Sequence, residues 1–381
     1  MPGMSATAAL LDWYAREARD LPWRRRPTPY RVWISEVMLQ QTTVATAGPY
    51  FLRFVAKYPT VRALAAAREA DVLALWSGLG YYHRARNLLA AARLMVRRHH
   101  GRVPADLAAL RALPGVGSYT AGAILSIGHG IPAAALDGNV MRVAARLAGI
   151  DGDPGRAATR RAVEGHVMDL MPPADASRFN QALMDLGATI CSPREPECLC
   201  CPVSAWCAAK REGSVARIPP PAARSSTVPV DLAALVVKRG ARVLLMTRGK
   251  GPLMKGLWEF PLVPGASLPE VRKEAGRLGA RVTGRAGLVR HVITRHRLSV
   301  TVYEARPSGP GGAPAKPHGT SARGTRLSEA SAAALRLATP EAGRAGARRW
   351  ACLADLTAGG ARGVPLTGTA RKITRLLAAA R

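Results

Sequence analysis

Five of the six cysteines in this 381-residue chain lie in one short segment, ICSPREPECLCCPVSAWC at residues 190–207. Three prolines interrupt the segment, so we expect a tight loop rather than a helix or a strand. Cys191, Cys198, Cys201 and Cys207 follow the spacing C-x6-C-x2-C-x5-C. In a cytosolic protein, clustered cysteines indicate metal or redox chemistry, because disulfide bonds rarely persist there. Ligation by thiolates alone suits either zinc or an iron–sulfur cluster.

The bulk composition is that of a globular protein with more than one domain. A chain of 381 residues can form two domains, and a hydrophobic content of 48% excludes disorder over most of it. The first thirty residues contain no apolar signal segment, so we expect a cytoplasmic, nucleoid-associated protein. Residues 112–136 carry no charged side chain, but Pro114, Pro132 and several glycines argue against a helix that spans a bilayer. The net charge of +30 favours a polyanionic partner, although an arginine-rich composition alone also produces such a charge.

Two helical patterns occur in the middle of the chain. DLAALRALPGVGSYTAGAILS at 106–126 predicts two helices joined by a short glycine-containing turn, which is the pattern of a helix–hairpin–helix. We expect Gly115 and Gly117 to let the backbone approach a DNA phosphate. Asp137 precedes the helical repeat of residues 135–147, so we expect it to cap this helix and to stay ionised.

These features resemble the adenine DNA glycosylase (MutY) family, within the endonuclease III-like helix–hairpin–helix superfamily. Further matching motifs are LPWR at 21–24, SEVMLQQT at 35–42, WSGLGYYHRARNL at 76–88 and FNQALMDLGATIC at 179–191. The resemblance covers about residues 10–210 almost without gaps. It implies a mainly α-helical glycosylase in residues 1–209 that acts, as a monomer, on double-stranded DNA containing A·8-oxoguanine or A·G mispairs.

The same resemblance implies the cofactor. The asymmetric cysteine spacing matches the loop that holds a [4Fe–4S] cluster in endonuclease III-like glycosylases. The implied ligands are Cys191, Cys198, Cys201 and Cys207. Cys200 falls outside this spacing and is the spare cysteine. We expect the cluster to serve structure and DNA docking rather than catalysis.

The resemblance also assigns the catalytic groups. Glu36 is implied to protonate adenine at N7, and Asp137 to stabilise the sugar cation that forms as the base leaves. Residues around Glu36 are apolar on nearly every helical face, so burial should raise the pKa of its carboxyl group and keep a proton available. Tyr119 and Asn139 are expected to position these groups. Tyr119 occupies the place where bifunctional glycosylases carry a lysine, so we predict base removal without strand cleavage.

A base inside a duplex must be flipped out before it can be cleaved. Gln41 and Tyr81 match the family residues that wedge into the vacated stack. The residues that match the lining of the adenine pocket are Arg19, Leu21, Trp23, Arg24 and Gln181.

A second domain follows a proline- and serine-rich linker at 210–229. Residues 230–249 predict two β-rich runs around a turn, and GLWEFPLVPG at 256–265 resembles the Nudix-like α/β C-terminal domain of the same family. The helix predicted near Glu270 and Glu274 lacks the paired glutamates of a true Nudix hydrolase, so we predict no pyrophosphatase activity. Residues 230–381 form this domain, with a flexible insertion at 305–346.

The chain departs from its family where that domain reads 8-oxoguanine. Ile293, Thr294 and Arg295 align with a family Phe-Ser-His loop. We expect Thr294 to carry the lesion preference, because its hydroxyl can accept from N7–H or donate to O8. Arg295 has only donors and is expected to contribute mostly affinity, through a phosphate or through guanine.

Two other functions remain open to a chain of this kind. One is a thymine glycosylase for G·T mismatches, whose relatives can also carry tyrosine at position 119. The other is a DNA-binding or redox-sensing iron–sulfur protein without enzymatic activity. The presence of both Glu36 and Asp137 argues against the second, and the SEVMLQQT motif together with the C-terminal domain argues against the first.

Overall fold

The computed structural model describes residues 5–220, 226–247, 257–265, 267–293, 295–309, 348–357, 364 and 366–379. The chain divides into two compact units. One contains residues 1–69 and 83–223, and the other contains residues 70–82 and 224–381. Within the described ranges, no helix is both long and apolar enough to cross a membrane.

The first unit is helical. Its helices are α1 (Ala6–Glu17), α2 (Pro29–Leu39), α3 (Val44–Lys57), α4 (Val61–Ala65), α6 (His83–Arg98), α7 (Leu107–Arg111), α8 (Ser118–Ala123), α9 (Gly138–Ala148), α10 (Ala157–Leu170), α11 (Ala176–Thr189) and α12 (Ala208–Arg211). The predicted hairpin is formed by α7 and α8, and α8 continues as a π-helical turn at Ile124–Gly128. Short 3-10 turns lie at Pro173–Asp175 and Ser204–Trp206.

Helix α2 begins where the Thr28 side chain accepts a hydrogen bond from the N–H of Arg31, with Pro29 in the first turn. Its residues are buried on nearly all faces, as the sequence pattern predicts, and Trp33 and Ile34 have no exposed surface. Such a helix owes its stability to packing rather than to intrinsic propensity. It therefore lies in the middle of the unit, where it can hold a polar side chain away from water.

The second unit is built on a mixed sheet. Its strands are β1 (Val228–Arg239), β2 (Arg242–Thr247), β3 (Trp258–Glu259), β4 (Leu262–Pro264), β5 (Ala280–Ile293), β6 (His296–Pro307) and β7 (Arg348–Cys352). The main order is β3-β2-β1-β6-β5, while β4 pairs with β1 and β7 with β2. Strands β1 and β6 are parallel, and the other pairs are antiparallel. The two β-rich runs predicted around residues 240–241 are confirmed as β1 and β2.

Side chains of β1 alternate between two cores. Leu232 and Ala234 pack on the face covered by α15 (Gly368–Ala379), whereas Ala233 and Leu235 pack on the face covered by α13 (Leu268–Arg277). This period of two places one helix on each side of the sheet. A short helix, α14 (Leu353–Thr357), completes the described part of the unit. The predicted combination of a helical domain with a Nudix-like α/β domain is thus confirmed.

Residues 70–82 belong to the second unit, although the motif at 76–88 begins within this segment and continues into α6. This segment carries most of α5 (Glu69–Trp76) and the turn that follows it. The Tyr82 hydroxyl donates to the carbonyl of Leu366 over 2.8 Å, and the Arg371 guanidinium donates to the Ser77 hydroxyl. Hydrogen bonds to the C-terminal part of the chain therefore hold a segment that is remote from it in sequence.

Candidate active site

A cavity of about 560 Å³ opens in the helical unit beside α2, α8 and the start of α9. Ten of the predicted site residues, comprising the four catalytic residues, the five pocket residues and one wedge residue, line this one cavity. They are Arg19, Leu21, Trp23, Arg24, Glu36, Gln41, Tyr119, Asp137, Asn139 and Gln181. They come from five separate parts of the chain, so the fold brings together groups whose proximity the sequence does not show.

Glu36 projects from the buried helix α2 and is itself only 5% exposed. Burial raises the pKa of its carboxyl group to about 7, since the charged form loses its hydration. The hydroxyl of Tyr119 donates to Oε2 over 2.5 Å and opposes part of this rise. Near neutral pH the carboxyl group is thus divided between its protonated and ionised forms, which is the condition for general acid–base catalysis.

Asp137 caps α9, as predicted. Its Oδ1 accepts from the N–H of Val140 over 2.7 Å, and its Oδ2 accepts from Nδ2 of Asn139 over 3.3 Å. Burial raises the pKa of Asp137 above its ordinary value, while these hydrogen bonds and the nearby Arg142 guanidinium lower it. The Arg142 guanidinium also donates to Oδ1 of Asn139 over 3.0 Å, which orients the amide toward the carboxylate.

Tyr119 lies in the first turn of α8, directly after the hairpin. Burial and the neighbouring carboxyl groups of Glu36 and Asp137 raise its pKa well above the ordinary value, so it is a hydrogen-bond donor at neutral pH. Gly117 is the N-cap of α8 and provides no side-chain bond to the first-turn N–H groups. Gly115 has φ 78°, and a Cβ there would come within 2.8 Å of the Asn87 side chain. Both glycines are exposed, which leaves the hairpin backbone accessible.

Asp185 is a site residue that sequence reasoning missed. It lies on α11, has no exposed side-chain surface, and binds the guanidinium groups of Arg19 and Arg24. Arg24 forms a bidentate ion pair with Asp185: Nη1 donates to Oδ2 over 2.7 Å and Nη2 donates to Oδ1 over 2.9 Å. These bonds lower the pKa of Asp185 despite its burial. The sequence could have pointed to Asp185, because it is the one acidic residue in the otherwise uncharged family-like motif at 179–191.

Leu21, Trp23 and Gln181 form a largely apolar part of the cavity wall, and all three are buried. The Trp23 ring packs edge-on against Phe51, with centroids 5.7 Å apart. Nε2 of Gln181 donates to the carbonyl of Ser177 over 3.2 Å, one turn earlier on α11. The amide nitrogen is thereby oriented toward its own helix.

The two predicted wedge residues share an unusual backbone conformation. Gln41 has φ 59° and Tyr81 has φ 47°, and in the described residues the one other non-glycine residue with positive φ is His100. Left-handed backbone costs a non-glycine residue about 1–2 kcal/mol. Gln41 is exposed at the edge of the cavity, whereas Tyr81 lies in the second unit with 38% of its surface exposed.

The four predicted cluster ligands surround one small cavity. Cys191, Cys198, Cys201 and Cys207 all line it, while Cys200 is exposed and is not among the lining residues. The buried guanidinium of Arg146 lies 3.3 Å from Sγ of Cys191 and also donates to backbone carbonyls of the loop. Four thiolates need such a positive neighbour, so the donor set and its surroundings fit an anionic iron–sulfur cluster.

In the described parts of the chain, no three histidine, cysteine, aspartate or glutamate side chains lie close enough together to hold a single metal ion.

The predicted lesion reader is only partly within the described residues. Thr294 lies outside them. Arg295 lies in the turn between β5 and β6, where its side chain is exposed and its carbonyl accepts from the N–H of Val228 over 2.8 Å. Most of the predicted insertion at 305–346 also lies outside the described residues.

Family models match both units of the chain. Residues 34–168 match the HhH-GPD superfamily of base excision DNA repair proteins, and residues 232–342 match the NUDIX domain. Among solved structures, a thermostable thymine-DNA glycosylase aligns with 54% of this chain and 95% of its own, at 30% identity and a TM-score of 0.50. This match includes the helical part, which glycosylases of different specificity share.

Two curated relatives that align with more than three quarters of this chain are adenine DNA glycosylases. The adenine DNA glycosylase of Homo sapiens is 37% identical over 358 residues, covering 77% of this chain and 66% of its own length. That of Rattus norvegicus is 37% identical over 365 residues, covering 79% of this chain and 70% of its own. Both alignments are too long to be confined to the helical unit. With its helix–hairpin–helix, its cavity and its Nudix-like sheet, this chain belongs to the adenine DNA glycosylase family.

Proposed function

We propose that this adenine DNA glycosylase hydrolyses the N-glycosidic bond of adenine mispaired with 8-oxoguanine or guanine, and that it leaves the DNA strand intact. The observation that carries the proposal is the arrangement of Glu36, Tyr119 and Asp137 on one cavity large enough for a flipped base. The two carboxyl groups divide the work as in glycoside hydrolysis, where an acid assists the leaving group and a carboxylate stabilises the sugar.

Glu36 is the general acid in this mechanism. With a pKa of about 7 it retains a proton in a substantial fraction of molecules at neutral pH. Transfer of that proton to N7 of adenine turns a poor anionic leaving group into a neutral one. The hydrogen bond from Tyr119 directs the carboxyl group and limits the rise in its pKa, so the proton is both retained and transferable.

Asp137 faces the sugar. Departure of the base gives the sugar oxocarbenium character, which a nearby carboxylate stabilises. The bonds from Val140 and Asn139 favour the ionised form of Asp137, in opposition to its burial. Water then completes the hydrolysis, either directly or after transient bonding of the sugar to Asp137.

The absence of an amine supports the monofunctional assignment. In the described part of the chain, no lysine lines the cavity, and position 119 presents a phenol. Without an amine nucleophile no Schiff base forms with the sugar, so nothing prepares the adjacent phosphate for elimination. The expected product is an abasic site in an unbroken strand.

The cysteine loop supports a [4Fe–4S] cluster on the grounds of its ligand set, its central cavity and the position of Arg146. Cys191, Cys198, Cys201 and Cys207 would hold it. When bound, the cluster would link the end of α11 to the start of α12 and thereby order a loop whose regular structure is a short 3-10 turn at Ser204–Trp206. Lys210 lies on α12 beside this loop and supplies positive charge for DNA docking.

Recognition of the base opposite adenine is assigned to the C-terminal domain. Thr294 is proposed to prefer 8-oxoguanine through its hydroxyl, and Arg295 to add affinity from an exposed position in the adjoining turn. The domains proposed from the sequence are a glycosylase domain at 1–209, a linker at 210–229 and the reader at 230–381. The compact units of the structure divide instead between residues 223 and 224, and residues 70–82 belong to the second unit.

One assay separates the candidate functions. Labelled duplexes containing A·8-oxoguanine, A·G or G·T are incubated with excess enzyme, and the products are resolved with and without alkali. We expect adenine removal from the first two duplexes and strand breakage only after alkali. Excision of thymine from G·T would favour the thymine glycosylase, and no excision from any duplex would favour a non-enzymatic DNA-binding protein.

A further inference from the structure

Arg84 is buried in the first turn of α6, with only 2% of its surface exposed, although arginine is seldom buried without a specific purpose. Its guanidinium reaches into the far end of α2. Nη1 donates to the carbonyls of Val37 and Met38, each over 2.9 Å, and also to the carbonyl of Gln40.

These carbonyls include groups that every helix leaves without intrahelical partners at its C-terminal end. Nη2 of Arg84 extends the contact beyond the helix, donating to Oγ1 of Thr42 over 3.1 Å. The hydrogen-bonded groups therefore come from residues on both sides of Gln41. The guanidinium spans the turn that contains the first proposed wedge.

Gln41 needs such support, because its φ of 59° is a strained conformation for a residue with a side chain. A strained residue keeps its conformation only when the surrounding structure determines it. Here the flanking residues Gln40 and Thr42 are both bonded to Arg84. The local turn also contributes, since the N–H of Thr42 donates to the carbonyl of Leu39 over 3.1 Å.

We propose that Arg84 is a positioning residue for base flipping: it holds the Gln41 turn in the left-handed conformation that presents the Gln41 side chain to the duplex. The inference rests on the proposed wedge function of Gln41. It predicts that loss of Arg84 impairs extrusion of adenine rather than the chemistry at Glu36. DNA binding through the phosphates is expected to change little, because Arg84 is buried within the protein.

The test uses the full chain with its cluster and compares Arg84→Met, Gln41→Ala and the double variant. Flipping is measured by the fluorescence of 2-aminopurine opposite 8-oxoguanine, on a 2′-fluoro sugar that blocks cleavage. We expect Arg84→Met to lower the flipping signal and to reduce the single-turnover rate about tenfold, which corresponds to about 1.4 kcal/mol. The single-turnover rate of the double variant should lie within about twofold of that of the slower single variant, because the two changes remove the same function.

Arg93→Met is the matched control. Arg93 lies on the same helix and also donates to two backbone carbonyls, that of Ala65 at the end of α4 and that of Ala67 beyond it. Arg93 is exposed and remote from Gln41 in sequence. The Arg93→Met variant removes the same charge and should leave flipping unchanged. If Arg84→Met folds poorly, Thr42→Val removes one of the partners while keeping the guanidinium, and should give a smaller loss of flipping.

The pH dependence distinguishes positioning from general loosening of α2. If Arg84 acts on flipping, the midpoint of the pH–rate profile stays where Glu36 sets it. The inference would be overturned if Arg84→Met shifted the midpoint of the pH–rate profile, or if the rate losses of the two single variants multiplied in the double variant. Either result would leave the wedge function of Gln41 intact. A wild-type rate for Gln41→Ala would instead refute the wedge assignment itself and, with it, the inference.

Discussion

The hydroxyl of Tyr119 donates to Oε2 of Glu36 across 2.5 Å, joining a hairpin helix to the buried helix α2. The two residues are 83 positions apart in the chain. This bond connects the hairpin proposed to approach DNA with the group proposed to protonate adenine. It also lowers the pKa of Glu36, in opposition to burial.

Excision should therefore depend on pH through Glu36. With a pKa of about 7, the acid is mostly protonated below that pH and mostly ionised above it. We expect the single-turnover rate on A·8-oxoguanine duplexes to fall as the pH rises through about 7. Glu36→Gln should lose at least about a hundredfold in rate, a typical contribution of general acid catalysis. Asp137→Asn should lose at least about a hundredfold as well, because it removes the negative charge that stabilises the sugar cation. Asp137→Asn should bind the mispair almost normally.

The same carboxyl group affects stability with a definite sign. Since the folded-state pKa of Glu36 is raised, its contribution to stability is full below the ordinary pKa and is lost as pH rises through about 7. Glu36→Gln cannot ionise, so its melting temperature relative to wild type should increase from about pH 5 to about pH 8. A constant difference across this range would mean that Glu36 is not held in a desolvated site.

Strand cleavage should be absent because Tyr119 presents a phenol where an amine nucleophile would be needed to form a Schiff base with the sugar. We expect wild-type product strands to break only after alkali or heat, and borohydride to trap little or no covalent enzyme–DNA adduct. Tyr119→Phe removes the donor to Glu36, so its pH–rate midpoint should move to higher pH. Efficient trapping of the wild-type enzyme would show that a lysine elsewhere reaches the sugar.

Asp185→Asn should be more damaging than a surface charge change. It leaves two guanidinium groups without their buried partner, and breaking buried pairs of this kind costs about 3–5 kcal/mol. Because the pKa of Asp185 is lowered, its contribution to stability is present above the ordinary carboxyl pKa and is lost as pH falls below it. Chemical denaturation at neutral pH measures the loss. Asp20→Asn, which removes an exposed partner of Arg25, is the control and should change stability little.

The cysteine assignments make a spectroscopic prediction. The purified protein should be brown, with broad absorption near roughly 400 nm, an expectation for iron bound by thiolates. Cys200→Ser should keep this colour because Cys200 is exposed and does not line the cavity. Cys198→Ser should lose it. Colourless wild-type protein containing one zinc per chain would exclude the cluster.

Substitutions at Thr294 and Arg295 should separate the preference for 8-oxoguanine over guanine from the overall affinity for DNA. Thr294→Ala should narrow the ratio of rates on A·8-oxoguanine and A·G, because it removes the hydroxyl proposed to contact N7–H or O8. Arg295→Ala should weaken both duplexes alike and reduce the salt dependence of binding by about one phosphate contact. If Arg295→Ala changes the ratio while Thr294→Ala does not, the two roles are reversed.

Local chemistry in the sequence was enough to predict the hairpin at 106–126 and the cap formed by Asp137, whereas the fold class was implied by the family resemblance. The hairpin depends on a glycine turn between apolar helices, and the cap on a carboxylate directly before a helical repeat. Each is determined by residues within a few positions of one another. The raised pKa of Glu36 was also predictable, since a helix that is apolar on nearly every face must be buried.

Only the tertiary structure decided which distant groups meet. Asp185 pairs with Arg19 and Arg24 across more than 160 positions, and Arg84 supports a turn more than 40 positions earlier. Residues 76–82 share a sequence motif with α6 but belong to the compact unit that contains the C-terminal part of the chain. Periodicity reports the face on which a side chain lies but not the partner it meets. Partners across the fold are selected by buried polar groups, which must find hydrogen bonds wherever packing places them.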